Sequence, residues 1–361
     1  MVWLHLRDAG GRDAATGIAR RIAERRGVQP TVIVTFSGAD PGAETPFLRP
    51  PPPETRAACT AFLDHWRPDV VLWIDTPLRP ALMSETARRG IPMHLVDARG
   101  DSLQIAGASL IPGLLRYAIS LFDQILAVDD ATGERIRRLG ASCTVTGRTD
   151  IAPRVPGCDE RDRADLVQSL GARPIWLAAD VAKNELDAVC AAHRHASRRA
   201  HRLLMIAAVE DADAARDALG RSGFACAERN AGLEPVPATQ VYLTDTSEMG
   251  LWYRLAPVCF LGGSLVGPCR CDPAAPAALG SAILAGPETA PFGDRFSVLE
   301  QSDAATRITD GDTLGQAVEA LLSPDRAARM AHAAWDVISR GAGAETAMLD
   351  LVDAALDRAG A

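Results

Sequence analysis

The chain has 361 residues, 47% hydrophobic and 23% charged, which is the balance of a soluble globular protein and a length that suits about two domains. Acidic residues outnumber basic ones, 46 against 38, giving a formal net charge of −8; this argues against a nucleic-acid binder, which would present a basic face. No apolar run approaches the roughly 20 residues of a spanning helix, and Arg7 and Asp8 follow the first apolar segment at once, so neither a membrane span nor a signal peptide is expected.

Val2–Leu6 reads as a short strand, followed by a helix from about Ala14 to Arg26. Thr31–Thr35 is β-branched and predicts a second strand. The run from Pro50 to Pro53 interrupts regular structure, and a helix is expected over Thr55–Trp66. Asp69–Ile74 has the near-continuous apolar character of a strand buried in a parallel sheet. The alternation continues with a helix at 80–89, a strand at Met93–Val96, a helix at about 110–121 and a strand at Gln124–Val128. A helix at 130–139 and a strand at Cys143–Gly147 close the first half.

The pattern restarts after a polar stretch from Pro153 to Arg173, with strands at Ile175–Ala178, Leu203–Ala207, Gln240–Leu243, Val258–Leu261 and Ala282–Ala285. A last helix, about Ala344–Arg358, is expected to pack back on the first domain. Two successive βα runs predict an α/β protein of two doubly wound, Rossmann-like domains, residues 1–152 and 153–361, facing across a cleft. In such sheets the ligand sits beyond the C-terminal ends of the strands.

The segment Val241-Tyr242-Leu243-Thr244-Asp245-Thr246-Ser247-Glu248-Met249, continuing to Phe260-Leu261-Gly262-Gly263-Ser264, resembles the D-T-x-G-E-[LM]…GGS signature of bacterial Kdo transferases. Further matches run along the chain. Trp3-Leu4-His5 is similar to the family's first strand, and Gly90-Ile91-Pro92 with Val96-Asp97-Ala98-Arg99 is similar to its GIP…vNaR. Ala277-Ala278-Leu279-Gly280-Ser281-Ala282-Ile283-Leu284 with Gly286-Pro287 is similar to its A-A-x-G-x-P-v-l-x-G-P. The resemblance implies a GT-B glycosyltransferase moving 3-deoxy-D-manno-octulosonic acid (Kdo) from CMP-Kdo to lipid A in lipopolysaccharide synthesis. It implies a CMP-sugar donor and a lipid A-type acceptor as partners. The family's N-terminal membrane anchor has no counterpart before this first strand, so a cytoplasmic chain with at most peripheral contact at the inner membrane is expected.

Inverting transfer needs a carboxylate to take the acceptor hydroxyl's proton. The family's base is a Glu in S-x-G-E, and the matching stretch here is Asp8-Ala9-Gly10-Gly11, with glycine at the base position. Asp8 and Asp13 flank that position: each is either a displaced base or a loop or N-cap acid. In the acidic strand-end motif, Asp75 remains while Pro77 and Arg79 replace the second Glu and the Trp; Asp75 is either a ligand contact or a helix cap. Where the family offers P-R-H-P-E-R to the donor phosphate, this chain has Ala207-Ala208-Val209-Glu210-Asp211, and of S-T-H-x-G-E-E only Glu185 survives. Arg270 or Arg229 is the candidate replacement cation.

By the same resemblance, Thr246, Glu248, Met249, Gly262, Gly263, Ser264, Arg270 and Asp272 are the candidate nucleotide-sugar residues. The glycines would let backbone amides approach an anion. Ala275 stands where the family's ribose-binding Glu would be. Cys269-x-Cys271 lacks a second ligand pair for zinc, and the other cysteines are scattered as reduced thiols; no metal and no cofactor is expected. Three functions stay open: a Kdo transferase with a rebuilt site, a non-catalytic binding or scaffold relative, and a transferase for another nucleotide sugar.

Overall fold

A strand without polar–apolar alternation has to be covered on both faces, and that demand organises this chain. In a computed structural model describing residues 1–7, 12–37, 48–106, 113–149 and 155–360, the strands form two wholly parallel, seven-stranded sheets. The first has the order β3-β2-β1-β4-β5-β6-β7. Its strands are β1 (Val2–Leu6), β2 (Val32–Phe36), β3 (Leu48–Arg49), β4 (Val70–Ile74), β5 (Met93–Ala98), β6 (Gln124–Ala127) and β7 (Thr144–Val145). The second has the order β10-β11-β9-β8-β12-β13-β14. It contains β8 (Ile175–Val181), β9 (Leu204–Val209), β10 (Cys226–Glu228), β11 (Val241–Thr244), β12 (Val258–Leu261), β13 (Ala282–Ala285) and β14 (Ala305–Arg307). The α/β, doubly wound expectation holds. β3, β10 and β14, each of two or three residues, were not expected from the sequence.

The chain divides into Met1–Asp150 with Arg340–Ala361, and Ile151–Ser339. In the first unit Trp3, Trp73 and Leu95 face the helices Arg56–Trp66 and Pro80–Arg88, while Val2, Leu4 and Leu72 face Ile18, Ile22, Met348 and Val352. In the second, Leu177 and Ile206 pack with Leu166, Trp252 and Phe296 on one face; Trp176 and Met205 pack with Val189, Leu219 and Val318 on the other. The expected helix at 344–358 is the end of one continuous helix, Pro324–Gly360. Gly343 lies inside this helix, where an added Cβ would meet no neighbour within 4 Å, so the glycine costs the helix its propensity. No helix among the described residues is long and apolar enough to cross a membrane.

Helix starts are fixed by side chains accepting from free first-turn amides. Thr55, Asp129, Asp159, Asp211 and Asp310 each cap their own helix. The helix Pro80–Arg88 lacks a cap of its own; Glu54, from another loop, accepts from Ala81 and Leu82 N–H at 2.9 and 3.3 Å.

Strand order reverses between β1 and β4 in the first sheet and between β8 and β12 in the second, which are the switch points beyond which ligands bind in such folds. At the second, backbone runs against backbone: a Cβ on Gly286 would stand 2.2 Å from Ser264 O. Gly286→Ala should therefore destabilise the protein by roughly 1–3 kcal/mol, measured as a lower urea midpoint at unchanged slope.

Candidate functional site

At the switch point of the second sheet, the loop after β12 is tied to the end of β8. Gly262 N–H donates to Ala179 O at 2.7 Å, and Arg270 N–H donates back to Gly262 O at 3.0 Å. A Cβ on Gly262 would lie 2.1 Å from Asp180 O, and one on Gly263, at φ +79°, would lie 2.1 Å from Pro268 O. The glycines are thus required by close backbone packing. The fully buried Glu185 carboxylate accepts from Gly263 N–H at 2.6 Å, Leu265 N–H at 2.7 Å and Ala182 N–H at 3.3 Å. Ser264, also buried, donates to Leu261 O and accepts from Gly286 N–H at 2.8 Å.

These bonds bear on the expectation that Gly262, Gly263 and Ser264 form a loop offering amides to an anion. Both glycine amides and the serine hydroxyl have partners inside the fold. Glu185, the one acid retained from its motif, occupies the Gly263 amide, while the Gly262 amide is taken by Ala179 O.

Next to this loop, an open pocket of ≈ 680 Å³ lies beyond the ends of β8 and β9, lined by Lys183, Glu210, Asp211, Asp213, Arg216 and Arg270 among others. Each of its cations is already paired. Arg270 donates to Asp180 Oδ1 at 3.0 Å and to Glu210, and both acids reinforce its charge, Glu210 foremost. Lys183 lies 3.5 Å from Asp211, and Arg216 pairs with Asp213 and Glu228. The amide of Ala214, with Lys183 behind it, holds Asp211 below the usual carboxylate range.

The remaining candidates of this unit sit apart. Glu248 accepts from Arg229 Nε at 3.0 Å and Nη2 at 3.1 Å; Arg229 also bonds Asp162 and lies 5.8 Å from the Trp252 ring centre. Glu248 above all raises the Arg229 pKa, so the two candidates neutralise each other. Thr246 is exposed and Met249 rests against the core. These follow β11, which is separated from β12 by β9 and β8, a span of roughly 14 Å at ordinary strand spacing. Asp272 accepts from Ala274 N–H at 3.0 Å and pairs with Arg295. Cys269 and Cys271 are buried, with thiols pushed up mainly by burial. Among the described residues no group of three His, Cys, Asp or Glu could hold a metal.

At the switch point of the first sheet, β1 and β4 run out together, with Leu6 opposite Ile74. The next residues are Arg7 and Asp75. Arg7 donates to Asp75 O at 2.9 Å and to Oδ1 at 3.0 Å, and Arg99 lies 3.3 Å from Oδ2. Asp75 adopts φ +42°, a conformation more accessible to Asp than to most residues. Burial raises its pKa, while Arg99 and Arg7 oppose the rise. Asp75 does not cap the following helix, since Glu54 does; it is an ion-pair centre between two arginines. Asp8 and the side chain of Asp13 lie outside the described residues.

Below this layer, His5 is fully buried, with Nδ1 2.6 Å from Thr35 Oγ1 and Nε2 2.8 Å from Ser37 Oγ. Trp3 Nε1–H donates to Thr35 at 2.9 Å and Thr76 donates to Ser37 at 2.7 Å. Sequence reasoning missed Arg7, Ser37, Arg99 and the role of Glu185. The available signal was position: the first three stand in or just after strand-end segments, where polar side chains follow apolar runs.

Comparison with known proteins places this geometry. Residues 1–151 match the family model described as 3-deoxy-D-manno-octulosonic-acid transferase (kdotransferase). Over 98% of the chain and 86% of the relative, the sequence is 30% identical to a 3-deoxy-D-manno-octulosonic acid transferase of Bordetella pertussis. The chain belongs to the 3-deoxy-D-manno-octulosonic acid transferase family. It is also 27% identical to the Haemophilus influenzae transferase of that name, over 99% of this chain and 87% of the relative. Among solved structures, Acinetobacter baumannii MurG aligns over 98% of each chain with a TM-score of 0.52 and 12% identity, a likeness of fold alone. The fold class is GT-B.

Burial, with the charge of Arg79 second, pushes the His5 pKa down to about 3 from its ordinary 6.5. Unfolded His5 takes a proton below pH 6.5 while folded His5 refuses it until about pH 3. Its contribution to stability is therefore complete above pH 6.5 and is lost as pH falls through that window, by up to about 1.4 kcal/mol per pH unit. Urea melts from pH 7 to 4.5 should show a shallower pH dependence for His5→Gln than for the native chain.

Proposed function

We propose that this chain is a Kdo-type glycosyltransferase of lipopolysaccharide synthesis, with CMP-Kdo as donor and a lipid A-type acceptor, whose turnover is strongly attenuated. The near-full-length relationship to proteins named as Kdo transferases carries the reaction class. The attenuation rests on Arg270, the candidate phosphate cation, being engaged by Asp180 and Glu210.

In this reaction the acceptor oxygen attacks the anomeric carbon of Kdo, the bond to CMP breaks, and a carboxylate takes the hydroxyl proton. Gly11 supplies none. Asp75 is held by two arginines, which leaves Asp8 or Asp13 as the base. CMP departs with negative charge that needs a cation, and Arg270 can meet it only by exchanging Glu210 for phosphate. A lipid A-type acceptor places the work at a membrane surface, reached by peripheral contact.

Calorimetry with CMP, CDP and UDP, together with a transfer assay, tests this reading. CMP should bind, and transfer should run roughly 10²–10³-fold below intact relatives, the usual worth of a lost charge-stabilising donor. Asp8→Asn or Asp13→Asn should abolish the residual turnover. Removing the competing carboxylate by Glu210→Gln should tighten CMP binding severalfold at low salt, with the gain shrinking as salt screens the site. Transfer at the rate of intact relatives would overturn the attenuation. Selective UDP binding would favour a different donor, and failure to bind any nucleotide would favour a binding or scaffold protein.

A further inference from the structure

At the end of the second sheet away from its switch point, positive charge gathers in a chain whose net charge is −8. The ten residues His193–Arg202 hold four arginines and three histidines and no acid. They form the last turn of the helix Leu186–Ser197 and its link to β9. Basic side chains at a helix C-terminus answer its partial negative charge, which accounts for some of them and leaves the rest in need of another reason.

Packing brings part of this charge to one pocket. The helix Leu186–Ser197 runs beside the helix Gly311–Leu321, so closely that a Cβ on Gly311 would stand 2.8 Å from Ala188 O and one on Gly315 2.9 Å from His195 Cβ. That pairing makes the two helices parallel and ends them side by side, where Arg199 Nε and His195 Nε2 each reach Glu319 at 2.8 Å. Between those ends and the start of the helix Pro324–Gly360 lies a pocket of ≈ 740 Å³, whose walls include Arg199, Glu319, Ser323 and Arg326, with Pro174 and Leu322 as apolar surface. Pro174 O accepts from Leu204 N–H at 2.9 Å, so the pocket stands at the starts of β8 and β9.

Its donors exceed its acceptors. Glu319 is the one acid in the walls and already has two partners. Arg199 meets it through Nε alone, which leaves the outer nitrogens of an exposed guanidinium free to turn to a ligand. Neither Arg326 nor the Ser323 hydroxyl has a side-chain partner among the described residues, and both are exposed. Behind Pro174, the buried Arg173 donates to Arg202 O at 2.5 Å, Val236 O at 3.3 Å and Thr239 O; its charge has no carboxylate partner among the described residues. Two guanidinium forks and a hydroxyl suit an anion with several oxygens. A carboxylate offers two; a phosphate ester spreads its charge over more and carries a carbon group for the apolar wall.

We infer that this pocket binds a phosphate ester, its oxygens held by Arg199, Ser323 and Arg326 and its carbon portion against Pro174 and Leu322. The site is separate from the proposed Kdo transfer, whose candidates in this unit do not line the pocket. A glycerophospholipid headgroup and a soluble ester both offer this chemistry. The full chain is therefore titrated with glycerol 3-phosphate, with glycerol as control, and sedimented with vesicles of phosphatidylglycerol in phosphatidylcholine, with phosphatidylcholine alone as control.

Native protein should bind glycerol 3-phosphate or the phosphatidylglycerol vesicles and neither control; vesicle recruitment identifies a lipid headgroup as the source, and binding of the free ester alone a soluble one. Arg326→Gln should weaken the binding roughly tenfold or more, the worth of a hydrogen bond to a charged group, and Arg326→Lys should recover part of it. Arg138→Gln, which removes the same charge from an exposed position of the first unit, should change nothing, and a matched urea midpoint shows that each variant is folded. CMP affinity should be equal in native protein and Arg326→Gln. Binding of neither phosphate by native protein, equal binding by folded Arg326→Gln, an equal loss in Arg138→Gln, or a parallel loss of CMP binding would each overturn the inference.

Discussion

A parallel strand covered by helices on both faces can carry chemistry only where it runs out of covered length. Here that constraint is severe, because β1, β4, β9 and β13 are buried at every position. The polar groups that matter are expelled to the residues just beyond: Arg7 after β1, Ser37 after β2, Asp75 after β4 and Glu210 after β9. Some polar side chains are nevertheless buried inside strands: His5 in β1 has a partner for each ring nitrogen, and Asp97 in β5 accepts from Thr149. Buried polar groups survive when satisfied.

The same constraint explains what could be read from the chain alone. Val70–Ile74 and Val258–Leu261 announce themselves as covered strands through unbroken apolar character, and repeated βα alternation then leaves little choice but doubly wound sheets. β3, β10 and β14 escaped because two or three residues at a sheet edge carry no period. The C-terminal helix was expected only from Ala344, whereas it begins at Pro324 and buries Ala327, Met330, Ala334, Val337 and Ile338 along its earlier turns. Site residues were less legible for a different reason. A residue type can be matched to a motif, but its partner cannot. Glu248 and Arg229 were separate candidates in the sequence, and in the structure they bind each other. Asp75 was a carboxylate in search of a role until Arg7 and Arg99 arrived from other strands.

Around the second switch point, charge is abundant but committed. A site of paired ions is poorly suited to seize an anion, since any incoming phosphate must displace a carboxylate that has the advantage of being tethered. Beneath the first switch point lies something different, an uncharged hydrogen-bonded chain running from Trp3 through Thr35 and His5 to Ser37.

Glu185 carries a warning for anyone scanning this protein by mutation. Its carboxylate organises three backbone amides from two loops and is shut away from solvent. Replacing it would disorder the turn on which Arg270 is mounted, and any measured activity would collapse with it. A screen scored on activity alone would rank this glutamate beside a general base, though its carboxylate is spent on backbone amides. Only its effect on unfolding would reveal it as masonry.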